Sequence, residues 1–220
     1  MPPQANAAFV CQMEEVLEVY QRPYDPQRPV VCMDEMPQQL LRDVHEPLPM
    51  EPGKPQREDY EYERNGVSNI FLFFEPLAGK RHIWVRERRT KKDWARAMRY
   101  LADELYPNAE GIVVVMDNLN THSPAAFYEA FDPAEAQRLR RRFEFHYTPK
   151  HGSWLNVAEI ELSALVRGCL SRRIPDQATL HKEVQAWAEE RNRKTVRVEW
   201  HFTTADARTK LKHLYPKIQD

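Results

Sequence analysis

Two short apolar runs in the chain each end on a carboxylate. One extends over residues 30–33 and is followed by Asp34, and the other extends over residues 112–116 and is followed by Asp117. Unbroken runs of this length, rich in β-branched residues, are typical of strands buried on both faces of a sheet. Because ligands and catalytic groups in α/β sheets collect at the carboxyl ends of such strands, both aspartates are candidate functional residues.

Periodic segments elsewhere predict the other strands and the helices. Two apolar-rich runs at residues 67–74 and 81–88 flank turn residues and predict an antiparallel hairpin, and an alternating run at residues 143–147 predicts one more strand. Cap signals followed by apolar residues at helical spacing predict the helices. The predicted helices begin near Thr90, Ser123, Asp132, Ser153 and Ala178.

The order of these elements predicts the fold. Three antiparallel strands followed by two that alternate with helices is the order of the ribonuclease H-like fold. This is an α/β fold with a five-stranded mixed sheet flanked by helices. Its first and fourth strands lie side by side, which predicts that Asp34 lies next to Asp117.

Four regions are expected along the chain. Residues 1–29 are interpreted as an N-terminal arm or linker, because the prolines from Pro23 to Pro29 extend the backbone after a short segment with helical potential. Residues 30–200 are expected to form the α/β domain, which an acidic, proline-rich insertion interrupts at about residues 36–63. Residues 201–220 are expected to form a C-terminal tail.

Composition places the 220-residue chain among globular proteins, with 42% hydrophobic and 10% aromatic residues. No segment approaches the roughly 20 apolar residues of a membrane span, and the N-terminus lacks a signal-peptide pattern, so a cytoplasmic protein is expected. Cys11, Cys32 and Cys169 are widely spaced, which predicts free thiols rather than a disulfide framework or a zinc site.

The formal net charge of -1 conceals a division of the chain. Residues 1–63 hold 13 acidic and 5 basic residues, and residues 64–220 hold 20 acidic and 27 basic residues. Basic clusters suit a phosphate backbone, although solvated helix faces also produce them. The candidate DNA contacts are Arg86, Arg88, Arg89, Lys91, Lys92, His122, Arg140, Arg141, Arg142, Lys150, His151, Arg172 and Arg173.

Two neighbouring carboxylates repel each other unless a cation lies between them. Oxygen ligands suit Mg²⁺ or Mn²⁺, and two such ions about 3.5 to 4 Å apart can activate an attacking oxygen and stabilise a leaving oxygen in phosphoryl transfer. Glu159 is the predicted third carboxylate, because it lies in the first turn of the helix after the last strand. Glu161 lies on a different face of that helix and is the second choice.

Each of these residues also has a structural interpretation. Asp34 and Asp117 could cap turns at the strand ends, and Glu159 could form a capping box with Asn156. His122 and His151 could support the site or be solvated rather than contact DNA. The combination of residues favours a metal site more than any one member does.

Three strings around the acidic residues are similar to motifs of a known family. The strings CMDE (residues 32–35), MDNLNTH (residues 116–122) and TPKHGSWLNVAE (residues 148–159) resemble the acidic motifs of DDE transposases from bacterial insertion sequences related to the mariner superfamily. The resemblance covers about residues 29–215. It departs from the family pattern at Val157, where mariner-type relatives commonly have proline, and in a longer interval between Asp117 and Glu159.

This resemblance implies a function and a set of partners. Asp34, Asp117 and Glu159 would be the catalytic carboxylates and would bind two Mg²⁺ or Mn²⁺ ions. The protein would hydrolyse phosphodiester bonds at transposon ends, transfer the freed strand into target DNA, act as a homodimer and work at the bacterial nucleoid. Family members carry helix-turn-helix modules upstream, and none is expected within the residues before Asp34.

Two other functions remain open from the sequence. A metal-dependent nuclease of the same fold would share the acidic cluster. A non-catalytic DNA-binding remnant of a transposase would retain the fold and the basic surface. The six glycines provide no phosphate-binding loop, and no serine-hydrolase elbow occurs.

Overall fold

Five strands and seven helices form the part of the chain that the computed structural model describes, which is residues 2, 4–44 and 61–217. The strands are β1 (Val30–Asp43), β2 (Tyr62–Glu75), β3 (Lys80–Arg86), β4 (Ile112–Met116) and β5 (Phe143–Tyr147). The helices are α1 (Ala7–Tyr20), α2 (Lys91–Tyr100), α3 (Ala125–Ala130), α4 (Pro133–Arg142), α5 (Val157–Gly168), α6 (Gln177–Arg193) and α7 (Thr204–Lys210). Shorter turns are a π-helical turn (Leu101–Leu105) and two 3₁₀ turns (Ser153–Leu155 and Lys212–Leu214).

The strands form one sheet in the order β3-β2-β1-β4-β5. β1, β2 and β3 pair antiparallel, and β4 pairs parallel with both β1 and β5. The predicted five-stranded mixed sheet flanked by helices is therefore confirmed. In the parallel pair Cys32 is opposite Val115, so Asp34 and Asp117, two positions further along, reach the same end of the sheet.

Alternation along the strands divides the apolar interior into two layers. Met33 and Met116 belong to the layer beneath α2, α3 and α4, which also contains Trp94. Cys32 and Val115 belong to the layer beneath α1, α5 and α6. Consecutive residues of a strand therefore serve opposite sides of the sheet.

The interpretation of residues 1–29 as an arm is wrong for α1. Met13, Val16 and Leu17 of this helix are fully buried in the layer that also contains residues of α5 and α6. Asn6 caps the helix by accepting a hydrogen bond from the Phe9 amide at 3.0 Å. The apolar face of α1 therefore belongs to the domain core.

The tail expected at residues 201–220 also packs on the domain over its described part. Ala207 of α7 and Leu214 are buried in the same layer as α1. Arg208 and Tyr215 both donate hydrogen bonds to the Glu14 carboxylate, with distances from 2.8 to 2.9 Å. The C-terminal segment of the described chain therefore packs against the N-terminal helix α1.

The insertion predicted at residues 36–63 is shorter than expected. β1 continues to Asp43, and its ladder with β2 passes through Pro37, Gln38 and Gln39 before a bulge between Gln39 and Leu41. The remainder, residues 45–60, lies outside the described residues. The apolar pattern does not predict this part of β1 because its side chains are mostly polar.

The outer edge of β3 is covered by α6. Asn192 accepts a hydrogen bond from the Arg81 amide and donates one to the Arg81 carbonyl, both at 2.8 Å, and Gln185 donates to the Ile83 carbonyl at 2.6 Å. These side chains replace a neighbouring strand. Unpaired edge groups would otherwise be available for pairing with another chain.

Two smaller expectations concern the cysteines and the membrane. Cys11, Cys32 and Cys169 are free thiols, as predicted. Among the described residues, no helix combines the length and the apolar character that crossing a bilayer requires.

Candidate active site

Asp117 directly follows β4, and Asp34 lies within β1, two positions beyond the last residue that pairs with β4. The two aspartates are therefore neighbours, as the sequence predicted, but β1 does not end at Asp34 as expected. Burial raises the pKa of the Asp34 carboxyl to about 7, and the negative charges of Asp117 and Glu159 add to this rise. The Glu35 amide, which donates to Asp34 Oδ1 at 2.7 Å, and the nearby His122 act in the opposite direction. Asp117 and Glu159 are therefore both near enough to Asp34 to repel its carboxylate.

Glu159 lies in the first turn of α5, and its side chain is exposed. The helix begins at this place because the N-cap residue Asn156 accepts a hydrogen bond from the Ala158 amide at 3.1 Å. The same side chain donates from Nδ2 to the Met33 carbonyl at 3.0 Å and to Asp34 Oδ2 at 3.4 Å. One buried side-chain amide therefore joins the first turn of α5 to β1 at Met33 and Asp34.

Sequence reasoning identified Asn156 only as a helix cap. Its cap signal is local, whereas its contact with β1 joins positions 122 residues apart. The Asn-x-x-Glu spacing was the available signal, and it indicated a partner within the helix instead of one on the strand.

Tyr20 holds the other side of the same junction. Its hydroxyl donates to the Leu155 carbonyl at 2.7 Å and accepts from the Val157 amide at 3.3 Å. It also lies 3.5 Å from the Cys32 thiol on β1. The C-terminal end of α1 therefore positions the start of α5.

Glu161, the second choice for the third carboxylate, lies in the interior. Its side chain is 1% exposed and pairs with Arg81 of β3 at 2.6 Å and with Arg191 of α6 at 2.9 Å. Burial would raise its pKa, but hydrogen bonds from the two arginines outweigh burial and lower it. This carboxylate is already neutralised, so the geometry favours Glu159.

His122 was predicted as a DNA contact, and that expectation is wrong because its side chain is completely buried. Nε2 lies 3.1 Å from Glu35 Oε1, and Nδ1 lies 3.2 Å from the Asp117 carbonyl oxygen. Nδ1 is also 2.6 Å from Asp117 Oδ1, but this buried oxygen has no partner that meets hydrogen-bond geometry. Burial would lower the pKa of His122, yet the two carboxylates outweigh it and raise the pKa to about 9.

Arg142 is a second predicted DNA contact that lies elsewhere. Its guanidinium donates to the carbonyls of Ala102, Tyr106 and Ala109, at the end of the π-helical turn and in the loop that follows it. The arginine therefore closes a helix end that lacks backbone partners. Consecutive arginines in the sequence give no indication of which one turns inward.

Two open clefts flank the loop that follows Asp117. One, of about 400 Å³, is lined by Asp117 and by the loop that carries Lys150 and His151. The other, of about 510 Å³, is lined by Asn118, Asn120 and Lys91. Lys91, Lys150 and His151, three of the predicted DNA contacts, therefore line these clefts, and the buried His122 also lines the second one.

The remaining predicted contacts lie apart from these clefts. Arg86 lines a separate groove of about 430 Å³, where its guanidinium lies 3.7 Å from the centre of the Trp84 ring. Arg172 and Arg173 form ion pairs with Glu183 and Asp43. The other predicted contacts have exposed side chains that line neither cleft, and they are Arg88, Arg89, Lys92, Arg140 and Arg141.

The donor chemistry of the acidic cluster fits a hard divalent cation. As placed, no group of three or more His, Cys, Asp or Glu side chains in residues 4–44 and 61–217 is close enough to hold a metal ion. Asp117 Oδ1 is nonetheless buried without a hydrogen-bond partner. The ionised form of Asp34 is disfavoured by burial and by its acidic neighbours, which raise its pKa. Carboxylate oxygens of this kind are the ligands that Mg²⁺ and Mn²⁺ prefer.

A ribonuclease H-like sheet with neighbouring carboxylates on its first strand and directly after its fourth defines a class of nucleic-acid phosphoryl-transfer domains. The family model described as "DDE superfamily endonuclease" matches residues 29–181 of the chain. The chain belongs to this family.

Solved structures of the Mos1 mariner transposase have a similar fold. The structure titled "Crystal structure of the Mos1 mariner paired end complex with Mn" matches with a TM-score of 0.56 and 14% identity, over 89% of this chain and 60% of that one. The pre-cleavage Mos1 transpososome matches with a TM-score of 0.61 and 12% identity, over 100% of this chain and 66% of that one. The Mos1 strand transfer complex matches with a TM-score of 0.58 and 14% identity, over 86% of this chain and 56% of that one.

The chain thus spans about 60% of the length of the Mos1 chain in the Mn complex. No curated protein matches the sequence at a significant level.

Proposed function

We propose that the chain is the catalytic domain of a DNA transposase that cleaves phosphodiester bonds at transposon ends and joins the freed strand to target DNA. The observation that carries the proposal is the neighbourhood of Asp34: Asp117 and Glu159 lie near enough to raise its pKa, and Asn156 at the start of α5 binds its carboxylate. Membership of the DDE superfamily endonuclease family supports it. The titles of the Mos1 structures, which name a transpososome and a strand transfer complex, agree with it.

In this proposal Asp34, Asp117 and Glu159 hold two Mg²⁺ or Mn²⁺ ions. Bound there, the ions would activate an attacking oxygen and stabilise the leaving oxygen of an in-line displacement. Asp34 and Asp117 are held by the sheet, and Glu159 is held by the first turn of α5. The exposed Glu159 carboxylate completes the oxygen-rich site from the helix side of the sheet.

DNA is the proposed partner, as transposon ends and as target. Lys91, Lys150 and His151 are the contacts that the clefts beside Asp117 support best, because the two lysine charges and the imidazole there could contact phosphates next to the reacting bond. Mos1 forms paired end complexes according to the titles of its structures, and a homodimer of this chain is proposed by analogy. The corresponding location is the bacterial cytoplasm, at the nucleoid.

Single alanine substitutions of the three carboxylates test the proposal. Asp34→Ala, Asp117→Ala and Glu159→Ala should each abolish Mg²⁺-dependent cleavage of an end-containing DNA duplex, while circular dichroism shows an intact fold. Glu159→Ala should abolish cleavage and leave the fold intact. Glu161→Ala should instead lower the stability of the fold, because Glu161 pairs with Arg81 and Arg191 in the core. Full activity of Asp117→Ala would exclude the mechanism.

A metal-dependent nuclease of the same fold is the alternative that shares this site. Gel analysis of labelled DNA separates the two functions, because strand transfer produces joined products and a nuclease produces only cleaved ones. A non-catalytic DNA-binding remnant would bind the duplex and produce neither. Joined products from the wild-type chain are the expected result.

A further inference from the structure

A buried pair of polar residues links β1, just beyond its parallel pairing with β4, to the loop that follows β4, on the side of the sheet away from α5. Glu35 follows Asp34 directly, and its side chain is 2% exposed. His122 lies five residues beyond Asp117, and its side chain has no exposed surface. The imidazole contacts Glu35 through Nε2 and the Asp117 carbonyl through Nδ1.

Each contact acts on a residue of the acidic cluster. Asp34 and Glu35 are consecutive residues whose side chains point to opposite sides of β1. Because they share a peptide bond, a restraint on Glu35 also restrains the backbone of Asp34. On β4 the restraint is direct, because the imidazole contacts the carbonyl of Asp117 and approaches its carboxylate Oδ1 at 2.6 Å. The pair therefore controls the separation of Asp34 in β1 from Asp117 after β4.

Packing alone does not require polar residues at this place. His122 stacks on Trp94 with ring centres 5.9 Å apart, and the surrounding layer is apolar. Burying a carboxylate and an imidazole there costs more desolvation free energy than burying two apolar side chains of similar size. A requirement other than filling space therefore accounts for the pair.

We propose that Glu35 and His122 are positioning residues that set the distance and orientation of the Asp34 and Asp117 carboxylates for divalent cations. This inference rests on the proposed function. In this role both side chains act through the backbone of β1 and the loop after β4, which they join.

The full-length chain and a double variant, Glu35→Leu with His122→Phe, test the proposal. The double variant replaces the buried pair by apolar side chains, so its urea denaturation midpoint without metal should stay near that of the wild type. Its affinity for Mn²⁺ alone, measured by isothermal titration calorimetry, should fall by about 10- to 100-fold. Affinity within about twofold of the wild type would overturn the proposal and leave the pair as packing.

Two single variants test which contact matters and apply even if the double variant does not fold. His122→Asn keeps a donor near the position of Nδ1, and His122→Gln keeps one near the position of Nε2. The Asn variant should retain more Mn²⁺ affinity, because it can still bind the Asp117 carbonyl. Equal affinities, or the reverse order, would contradict the assigned contact.

The wild-type titration separates this proposal from the proposed function. If the wild-type chain itself fails to bind Mn²⁺, the metal-dependent function fails, and the positioning role fails with it. If the wild type binds and the double variant binds equally well, only the positioning role fails.

Discussion

At the scale of single residues, Glu159 and Glu161 are two positions apart and have opposite environments. Glu159 is exposed beside the aspartates, whereas Glu161 is buried between Arg81 and Arg191. A carboxylate enclosed by arginines stabilises the fold. An exposed one beside other carboxylates does not, and it is available for chemistry.

Glu161→Ala should lower the free energy of unfolding by about 3 to 5 kcal/mol, because it leaves the fully buried Arg81 without its charge partner. Glu159→Ala should change it by less than about 0.5 kcal/mol. Urea denaturation of both variants measures the difference. Equal stability of the two variants would contradict the environments described for them.

Asn156 offers a second prediction at this scale. Asn156→Ala removes the cap of α5 and the donor to the Met33 carbonyl, and it should cost about 1 to 3 kcal/mol. Asn156→Ser keeps a cap acceptor but cannot reach β1, so its cost should be intermediate. Denaturation midpoints check the order, and a Ser variant as unstable as the Ala variant would assign no stability to the cap.

The three proposed acidic residues could be selected from the sequence because each follows a local pattern. Asp34 and Asp117 end apolar runs, and Glu159 follows a helix cap. His122 and Arg142 were assigned to DNA because burial of a single polar side chain depends on residues far away in the chain, such as Glu35 and Ala109. No periodic pattern contains that information.

At the scale of elements, α1 is the main correction. The proline-rich stretch after it suggested a linker, yet Tyr20 at its end binds the junction that starts α5. A helix whose partners are dispersed along the chain can be recognised from its own residues, but its docking cannot.

Leu17→Ala tests the docking of α1. Leu17 is fully buried in the core, so its truncation should cost about 2 to 5 kcal/mol. Cys11→Ala, at an exposed position of the same helix, is the matched control and should be nearly neutral. Thermal or urea unfolding measures both, and a neutral Leu17→Ala would restore the interpretation as an arm.

Most strands and helices could be predicted because cap residues and apolar periods are local. Thr90 and Asp132 cap α2 and α4 as expected. β1 was predicted too short because Pro37, Gln38 and Gln39 form part of a ladder that has little apolar signal. The π-helical turn after α2 also has no simple sequence pattern.

At the scale of the whole molecule, charge holds the end of α1 to the far edge of the sheet. Glu144 of β5 pairs with Arg22 at 2.8 Å and with Arg28 at 2.6 Å, and it also binds His146. Partial burial would raise its pKa, but His146 and the arginines outweigh burial and lower the pKa to about 2.

A lowered carboxyl pKa gives a pH dependence of definite sign. Stability from Glu144 is fully present above the unfolded-state pKa of about 4.5 and is lost as the pH falls toward 2. Glu144→Gln should therefore cost about 1 kcal/mol or less at pH 7, given the partial exposure, and the cost should shrink between pH 5 and pH 2. A difference that stays constant with pH would contradict the ion pairs.

DNA-binding measurements distinguish a surface lysine, Lys150, from Arg142, whose guanidinium binds backbone carbonyls. Lys150→Gln should weaken binding of a DNA duplex and reduce the slope of log affinity against log salt by about one. Arg142→Gln should lower the unfolding midpoint instead, and it should leave the slope unchanged. Fluorescence anisotropy at several salt concentrations provides the slopes, and identical slopes for Lys150→Gln and the wild type would remove this residue from the interface.

Asp34 and Glu35 stand side by side in β1 and serve opposite sides of the sheet. Moving β1 by a single position along its neighbours would turn Glu35 toward α5 and send Asp34 under Trp94. The fold would keep the same number of acidic groups and lose the arrangement that the proposed chemistry needs. Insertions or deletions in β1 should therefore be far more damaging to function than substitutions of its apolar residues.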